Sequence, residues 1–106
     1  MSVQTFAALG DPTRAAIVDR LSRGPATVTE IAVPFEMSLR GVLKHVEVLE
    51  AAGVVHTVKA GRARQCVLRP DRIDEAARWI NHVTERWERR MDRMDAYLRD
   101  KEGPRK

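Results

Sequence analysis

Between Ser38 and Gly53 the chain spells out a helix together with its beginning and its end. Ser38 suits an N-cap, its hydroxyl accepting a hydrogen bond from an otherwise unpaired amide of the first turn. Gly53 suits the left-handed position that closes many helices. Val42, Val46 and Leu49 fall at i, i+4 and i+7 and make one apolar face. The other side carries Arg40, Gly41, Lys44 and Glu47, with Ser38 at the tip. Basic side chains near the N-terminal end of a helix reach phosphates and base edges in a major groove. An ordinary amphipathic surface helix has the same pattern, so the flanking segments decide between the two.

Upstream, Val3 to Leu9 reads as a short apolar helix containing Phe6 and ended by Gly10. Asp11-Pro12 opens the next helix, with Asp as N-cap and Pro where its missing N–H costs nothing. Ala15, Ile17, Val18 and Leu21 supply its buried stripe. Thr27-Val28-Thr29-Glu30 has the form of a capping box and opens a short helix that breaks near Pro34. Phe35-Glu36-Met37 is then a turn, and two helices about a short turn form a helix-turn-helix. Downstream of Gly53, Val54, Val55, Thr57 and Val58 form one β-branched run and Cys66-Val67-Leu68 another. Between them Lys59 to Gln65 reads as a basic loop whose tip bears Lys59, Arg62 and Arg64, so the whole is a hairpin. The expected fold is mostly α with a small β-hairpin: a winged helix-turn-helix of five helices plus a two-stranded wing.

Charge supports that reading by where it lies. Ser38 to Arg72 contains Arg40, Lys44, Lys59, Arg62, Arg64, Arg69 and Arg72 against Glu47, Glu50 and Asp71, a surplus of four. That equals the chain's whole net charge of +4, and the remainder carries twelve residues of each sign. Such a concentration is an electrostatic footprint for a polyanion, here double-stranded DNA. No apolar run reaches the ~18 residues of a membrane span, and the N-terminus lacks the pattern of a secretion signal. With a single cysteine and hence no internal disulfide, the expected location is the cytoplasm, with no membrane partner.

Asp71 is expected to cap a long last helix, with Asp74 at its third position. Ile73, Ala76, Ile80, Val83, Trp87, Met91, Met94 and Leu98 follow at steps of three and four, keeping one apolar stripe on one face. A domain of 106 residues cannot cover such a stripe alone. Part of it is therefore expected to meet a second subunit. Arg78, Arg86, Arg89, Arg90 and Arg93, interleaved with Glu85, Glu88, Asp92 and Asp95, read as a solvated, ion-paired outer face. Glu102 to Lys106 is a polar tail.

With these elements in place, the chain resembles the ArsR family of bacterial winged-helix repressors. Phe6-Ala7-Ala8-Leu9-Gly10-Asp11-Pro12-Thr13-Arg14 resembles the family's F-x-A-L-x-D-P-T-R opening. Val42 to Val55 resembles V-S-K-H-L-x-V-L-x-x-A-G-L-V, and Gly61-Arg62 falls in the wing. Pro34 to Ser38 and Trp87 to Asp92 resemble a subgroup without obvious metal ligands. The resemblance covers roughly residues 4–100. It implies a homodimer that binds an operator and leaves it when an effector, here an unidentified small molecule, binds. The contacts it implies come from Ser38, Arg40, Gly41, Leu43, Lys44 and His45 of the recognition helix and from Lys59, Arg62 and Arg64 of the wing. Residues 1–106 are expected to form one domain, with 1–10 and 72–100 also making the dimer interface through Phe6, Val83, Trp87, Met91 and Met94. His45 either flanks the core or faces phosphate; the resemblance places it on the phosphate side. Many relatives have Ser at the position of Leu43 and Ala or Thr at that of Gly41, so the operator sequence does not carry over.

Relatives that sense thiophilic metals place a Cys-x-Cys pair where this chain has Glu30-Ile31-Ala32-Val33-Pro34. Relatives that bind zinc on the last helix use a D-x-H…H-x-x-E set, of which only His82-Val83-Thr84-Glu85 matches half. No metal and no cofactor are expected. Without a Gly-rich phosphate loop, a G-x-S-x-G turn or clustered carboxylates in an apolar setting, no catalytic residue is expected either. Cys66 reads as a small core residue. The expected function is a DNA-binding transcriptional repressor. A metal-responsive repressor of the same fold and a winged-helix protein-interaction module are the alternatives.

Overall fold

A computed structural model of the chain describes residues 3–102. Met1 and Ser2 of the expected N-terminal interface segment, and residues 103–106 of the expected tail, lie outside the described residues. In chain order the elements are α1 (Val3–Leu9), α2 (Pro12–Leu21), β1 (Ala26–Thr27), α3 (Val28–Ala32), α4 (Leu39–Ala51), β2 (Val55–Ala60), β3 (Ala63–Leu68) and α5 (Pro70–Glu102). The described residues fall into two compact units, one up to Ala76 and one from Ala77 onward.

Short side chains set the helix boundaries in the first unit. The Asp11 carboxylate accepts from Arg14 N at 3.0 Å and caps α2, with Pro12 at its start. Thr27 and Glu30 cap α3 reciprocally: Thr27 Oγ1 accepts from Glu30 N at 3.1 Å, and Glu30 Oε1 accepts from Thr27 N at 3.0 Å. Those amide bonds stabilise the ionised carboxylates and hold both Asp11 and Glu30 below the usual carboxylate range. Ser38 Oγ accepts from Gly41 N at 3.1 Å and starts α4. At the far end Gly53 has φ +76°. Gly53 N donates to Glu50 O at 3.0 Å, and Val54 N donates to Leu49 O at 3.0 Å. These are the two bonds of a Schellman motif. Its apolar clasp is Leu49 against Val54, both with no exposed surface.

The caps orient one apolar cluster. Val42, Val46 and Leu49 of α4 are buried with Ala8, Ile17, Leu21, Ile31, Val54, Val55 and Cys66. Each buried valine, leucine or isoleucine of the cluster contributes roughly 1.5–3 kcal/mol relative to exposure. Along α2, Ile17 and Leu21 are buried and Val18 is half-buried, whereas Ala15 is exposed. Its methyl is small enough that solvent costs little there.

The sheet corrects two expectations. It has three strands, antiparallel in the order β1-β3-β2, where a two-stranded wing was expected. The added strand is two residues long, pairing Ala26 with Cys66 and Thr27 with Gln65. Two residues are too few for an alternation pattern. Thr27 is extended because an N-cap takes β-region dihedrals, and that extension lets it pair with β3. The basic segment Lys59 to Gln65 is not a loop but mostly strand. β2 and β3 run up to a two-residue turn, Gly61-Arg62, with Ala60 opposite Ala63 and Lys59 opposite Arg64. Gly61 has φ +65° and no non-glycine residue has positive φ among the described residues. Glycine first with a positive φ is the II′ arrangement, which matches strand twist and keeps the ladder paired to its tip.

The start of α5 also lies two residues earlier than expected. Pro70 begins the helix, because its fixed φ suits the first helical position. Asp71 is therefore inside the first turn rather than its cap, 3.6 Å from Arg69. Ile73 packs on the core cluster and Ala76 is buried. In the second unit α5 continues with Ile80, Val83, Trp87, Met91, Met94 and Leu98 all exposed, Trp87 to 60%.

Candidate nucleic-acid interface

Burying Val42, Val46 and Leu49 fixes the rotation of α4. It turns Leu39, Arg40, Leu43, Lys44 and Glu47 into solvent, with Ser38 exposed at the N-terminal tip. Gly41 is half-buried. A Cβ there would sit 3.4 Å from Ser38 Oγ and 3.6 Å from Met37 Sδ, ordinary contacts. A basic, exposed helix face is what a major groove admits.

His45 is placed differently from its neighbours. Its ring is half-buried, with Nδ1 3.2 Å from Arg14 Nη1 and 3.9 Å from Asp11 Oδ2. Arg14 has only donors to offer. A hydrogen bond between them therefore needs Nδ1 as acceptor, with the ring neutral and its proton on Nε2. Arg14 is the hub. Its Nε donates to Ala8 O at 2.7 Å and its Nη2 to Ala7 O at 3.4 Å, pairing carbonyls of the last turn of α1. One guanidinium thus joins the end of α1, the start of α2 and the middle of α4. Sequence reasoning assigned Arg14 no role. The signal for it was the Asp-Pro-Thr-Arg run, in which Asp11 caps the amide of the residue whose side chain does the clasping.

The wing is also tied to α4. Arg64 Nη1 donates to Thr57 Oγ1 at 3.2 Å, and Thr57 Oγ1 donates to Glu50 Oε2 at 3.2 Å. Arg64 therefore reaches from β3 across to β2 and, through Thr57, to the end of the helix. Lys59 and Arg62 are exposed, Arg62 on the turn itself. Recognition-helix and wing residues all belong to the first unit. Cys66 is buried beneath the sheet, where burial and, less strongly, the Glu50 charge push its thiol above the usual range.

Of the proposed subunit contacts, Phe6 is half-buried on α1 in the first unit. Val83, Trp87, Met91 and Met94 are exposed in the second. There Val83 and Trp87 share a shallow groove with Arg86, Arg90 and Arg93. His82 Nε2 lies 2.6 Å from Arg86 Nη2. Among the described residues no three His, Cys, Asp or Glu side chains gather as a metal-binding group, and no helix is long and apolar enough to cross a membrane.

The fold and this face define a class: the winged helix-turn-helix regulators. A helix-turn-helix domain model matches residues 9–58. The HTH-type transcriptional regulator Rv2034 of Mycobacterium tuberculosis is 40% identical over 67 residues, 63% of each chain. The match thus spans just under two thirds of that relative. The transcriptional repressor SdpR of Bacillus subtilis is 29% identical over 75 residues, covering 71% of this chain and 83% of that one. A crystal structure of an ArsR family transcriptional regulator, RHA00566, superposes with a TM-score of 0.74 at 45% identity, covering 80% of this chain and 88% of that one. The chain belongs to the ArsR family of transcriptional regulators, as its opening motif and recognition-helix segment implied.

Proposed function

We propose that the chain is a sequence-specific DNA-binding repressor, acting as a homodimer on an inverted-repeat operator in the cytoplasm and performing no catalysis. The observation that carries this reading is the locked rotation of α4. Three fully or nearly buried aliphatics leave Arg40 and Lys44 outward, beside a wing whose basic residues share the same unit. Ser38, Arg40, Gly41, Leu43 and Lys44 then meet the major groove. His45 approaches phosphate only by its Nε2 edge, since Nδ1 faces Arg14 and Asp11. Lys59, Arg62 and Arg64 contact backbone or minor groove. The exposed stripe Val83, Trp87, Met91 and Met94 supports dimerisation, with Phe6 of α1 joining it and the interface drawn from residues 1–10 and 72–100. Two-fold symmetry of the protein then calls for two-fold symmetry in the site, with half-site centres about 10 bp or a multiple apart. A small-molecule effector would act by releasing the operator.

Binding-site selection from random DNA, followed by Kd measurements over a salt series, tests the reading. Arg40→Ala should cost about 1–3 kcal/mol for each base that the arginine reads on the selected site, and little on random duplex. Arg64→Ala should weaken both and reduce the log–log salt slope by about 1 for each phosphate that Arg64 neutralises in each subunit. Failure to enrich any sequence, together with a protein partner insensitive to salt, would replace the reading with a protein-interaction module. Stoichiometric zinc that lowers operator affinity tenfold would replace it with a metal-responsive repressor.

A further inference from the structure

On the outward side of α4 two leucines stand in solvent among charged neighbours. Leu39 and Leu43 are 52% and 42% exposed. They lie one helical turn apart, so their side chains adjoin on the helix surface. Arg40 and Lys44 are exposed beside them. Neither leucine belongs to the core cluster, which α4 fills with Val42, Val46 and Leu49. A lone exposed leucine needs no explanation, but an adjoining pair on a basic helix face forms an apolar patch that a partner would cover. The flanking cations identify the partner as a polyanion. In a major groove most of what the base edges present is hydrogen-bonding groups, which a leucine cannot meet. The apolar group there is the methyl at C5 of thymine. A cytosine methylated at C5 offers the same group at the same place.

Resting on the reading of α4 as the recognition helix, we infer that Leu39 and Leu43 form a reader of C5-methylated pyrimidines. The leucines cover the methyl, while Arg40 and Lys44 take the acceptors and phosphates beside it. By the free energy of burying one methyl group, removing the methyl weakens binding about four-fold at one half-site, and about fifteen-fold when both half-sites are without it.

The test uses the full chain and the duplex recovered by selection. Each thymine is replaced in turn by deoxyuridine, which removes only the methyl, and each cytosine by 5-methylcytosine, which adds only the methyl. Kd is measured for the wild type, Leu39→Ala and Leu43→Ala. The expected result is a loss of about four-fold per half-site at one or more uridines for the wild type. At those positions at least one alanine variant that still binds the selected duplex should show no further loss. A wild-type gain on methylcytosine with neutral uridines also supports the inference and names methylcytosine as the source. Neutrality at every position overturns it, as does an equal loss in the wild type and both variants. The recognition-helix reading would survive that result if Arg40→Ala still abolishes preference for the selected site. If no duplex is selected at all, both fall.

Discussion

Two glycines of one helix should respond oppositely to the same substitution. Gly41 lies in the first turns of α4 with helical backbone, and a Cβ there comes no nearer than 3.4 Å to Ser38 Oγ and 3.6 Å to Met37 Sδ. Gly41→Ala therefore recovers the helix propensity that glycine forfeits, about 0.8–1 kcal/mol. Gly53 closes the helix at φ +76°, and a Cβ there would sit 3.1 Å from Arg72 Nε. An alanine held in the left-handed region costs about 1–2 kcal/mol. Restriction of the unfolded chain returns about 0.4–1 kcal/mol, and the flexible Arg72 side chain shifts at small expense. Gly53→Ala should thus destabilise by about 1 kcal/mol. For a domain of this size 1 kcal/mol moves Tm by about 4–8 °C, so the two variants should bracket the wild type by roughly 10 °C. Thermal melts at one fixed protein concentration measure this without mass-action shifts. If both variants move Tm the same way, backbone conformation does not decide the response. The same Gly41→Ala protein should bind its operator more weakly, because the added methyl separates the backbone from the groove.

Arg14→Ala should destabilise the fold by about 2–4 kcal/mol, since it removes charge-assisted bonds and strands the Ala8 carbonyl. Arg14→Lys, with one reach instead of a fork, should fall between the two in chemical denaturation. Asp11 and Glu30 titrate lower in the folded chain than in the unfolded one, so between those values the unfolded chain binds more protons. Their contribution is complete above the ordinary carboxylate values of 3.8 and 4.5 and is lost as pH falls through the folded ones. Asp11→Asn with Glu30→Gln should flatten the decline of Tm in acid, and an unchanged acid slope would contradict the capping assignment. Trp87→Ala should weaken the homodimer by several kcal/mol, read by sedimentation as dissociation at a higher concentration. A wild-type chain that sediments as a monomer at micromolar concentration would remove the premise.

Much of the first unit was legible because its boundaries are local chemistry. Asp11-Pro12, Thr27 with Glu30, and Ser38 each cap within three residues, and α4 ends at Gly53 through bonds from Gly53 and Val54 to carbonyls three and five residues earlier. The spacing of Val42, Val46 and Leu49 already determined which side of α4 faces inward, and hence that Arg40 and Lys44 face out. Contacts between distant segments were decided only by the tertiary structure. β1 exists because Ala26 and Thr27 lie beside Cys66 and Gln65, a pairing across roughly forty positions that two residues cannot announce. The basic run after Val58 read as a loop because its charges resemble a solvated tip, whereas ladder hydrogen bonds extend the strands to Gly61. His45 carried two meanings in one helix register. Its Nδ1 edge was settled by Arg14, thirty-one residues earlier, whose guanidinium folds back onto the carbonyls of α1. Periodicity assigns a residue to a face; only the packed neighbour determines what that face touches.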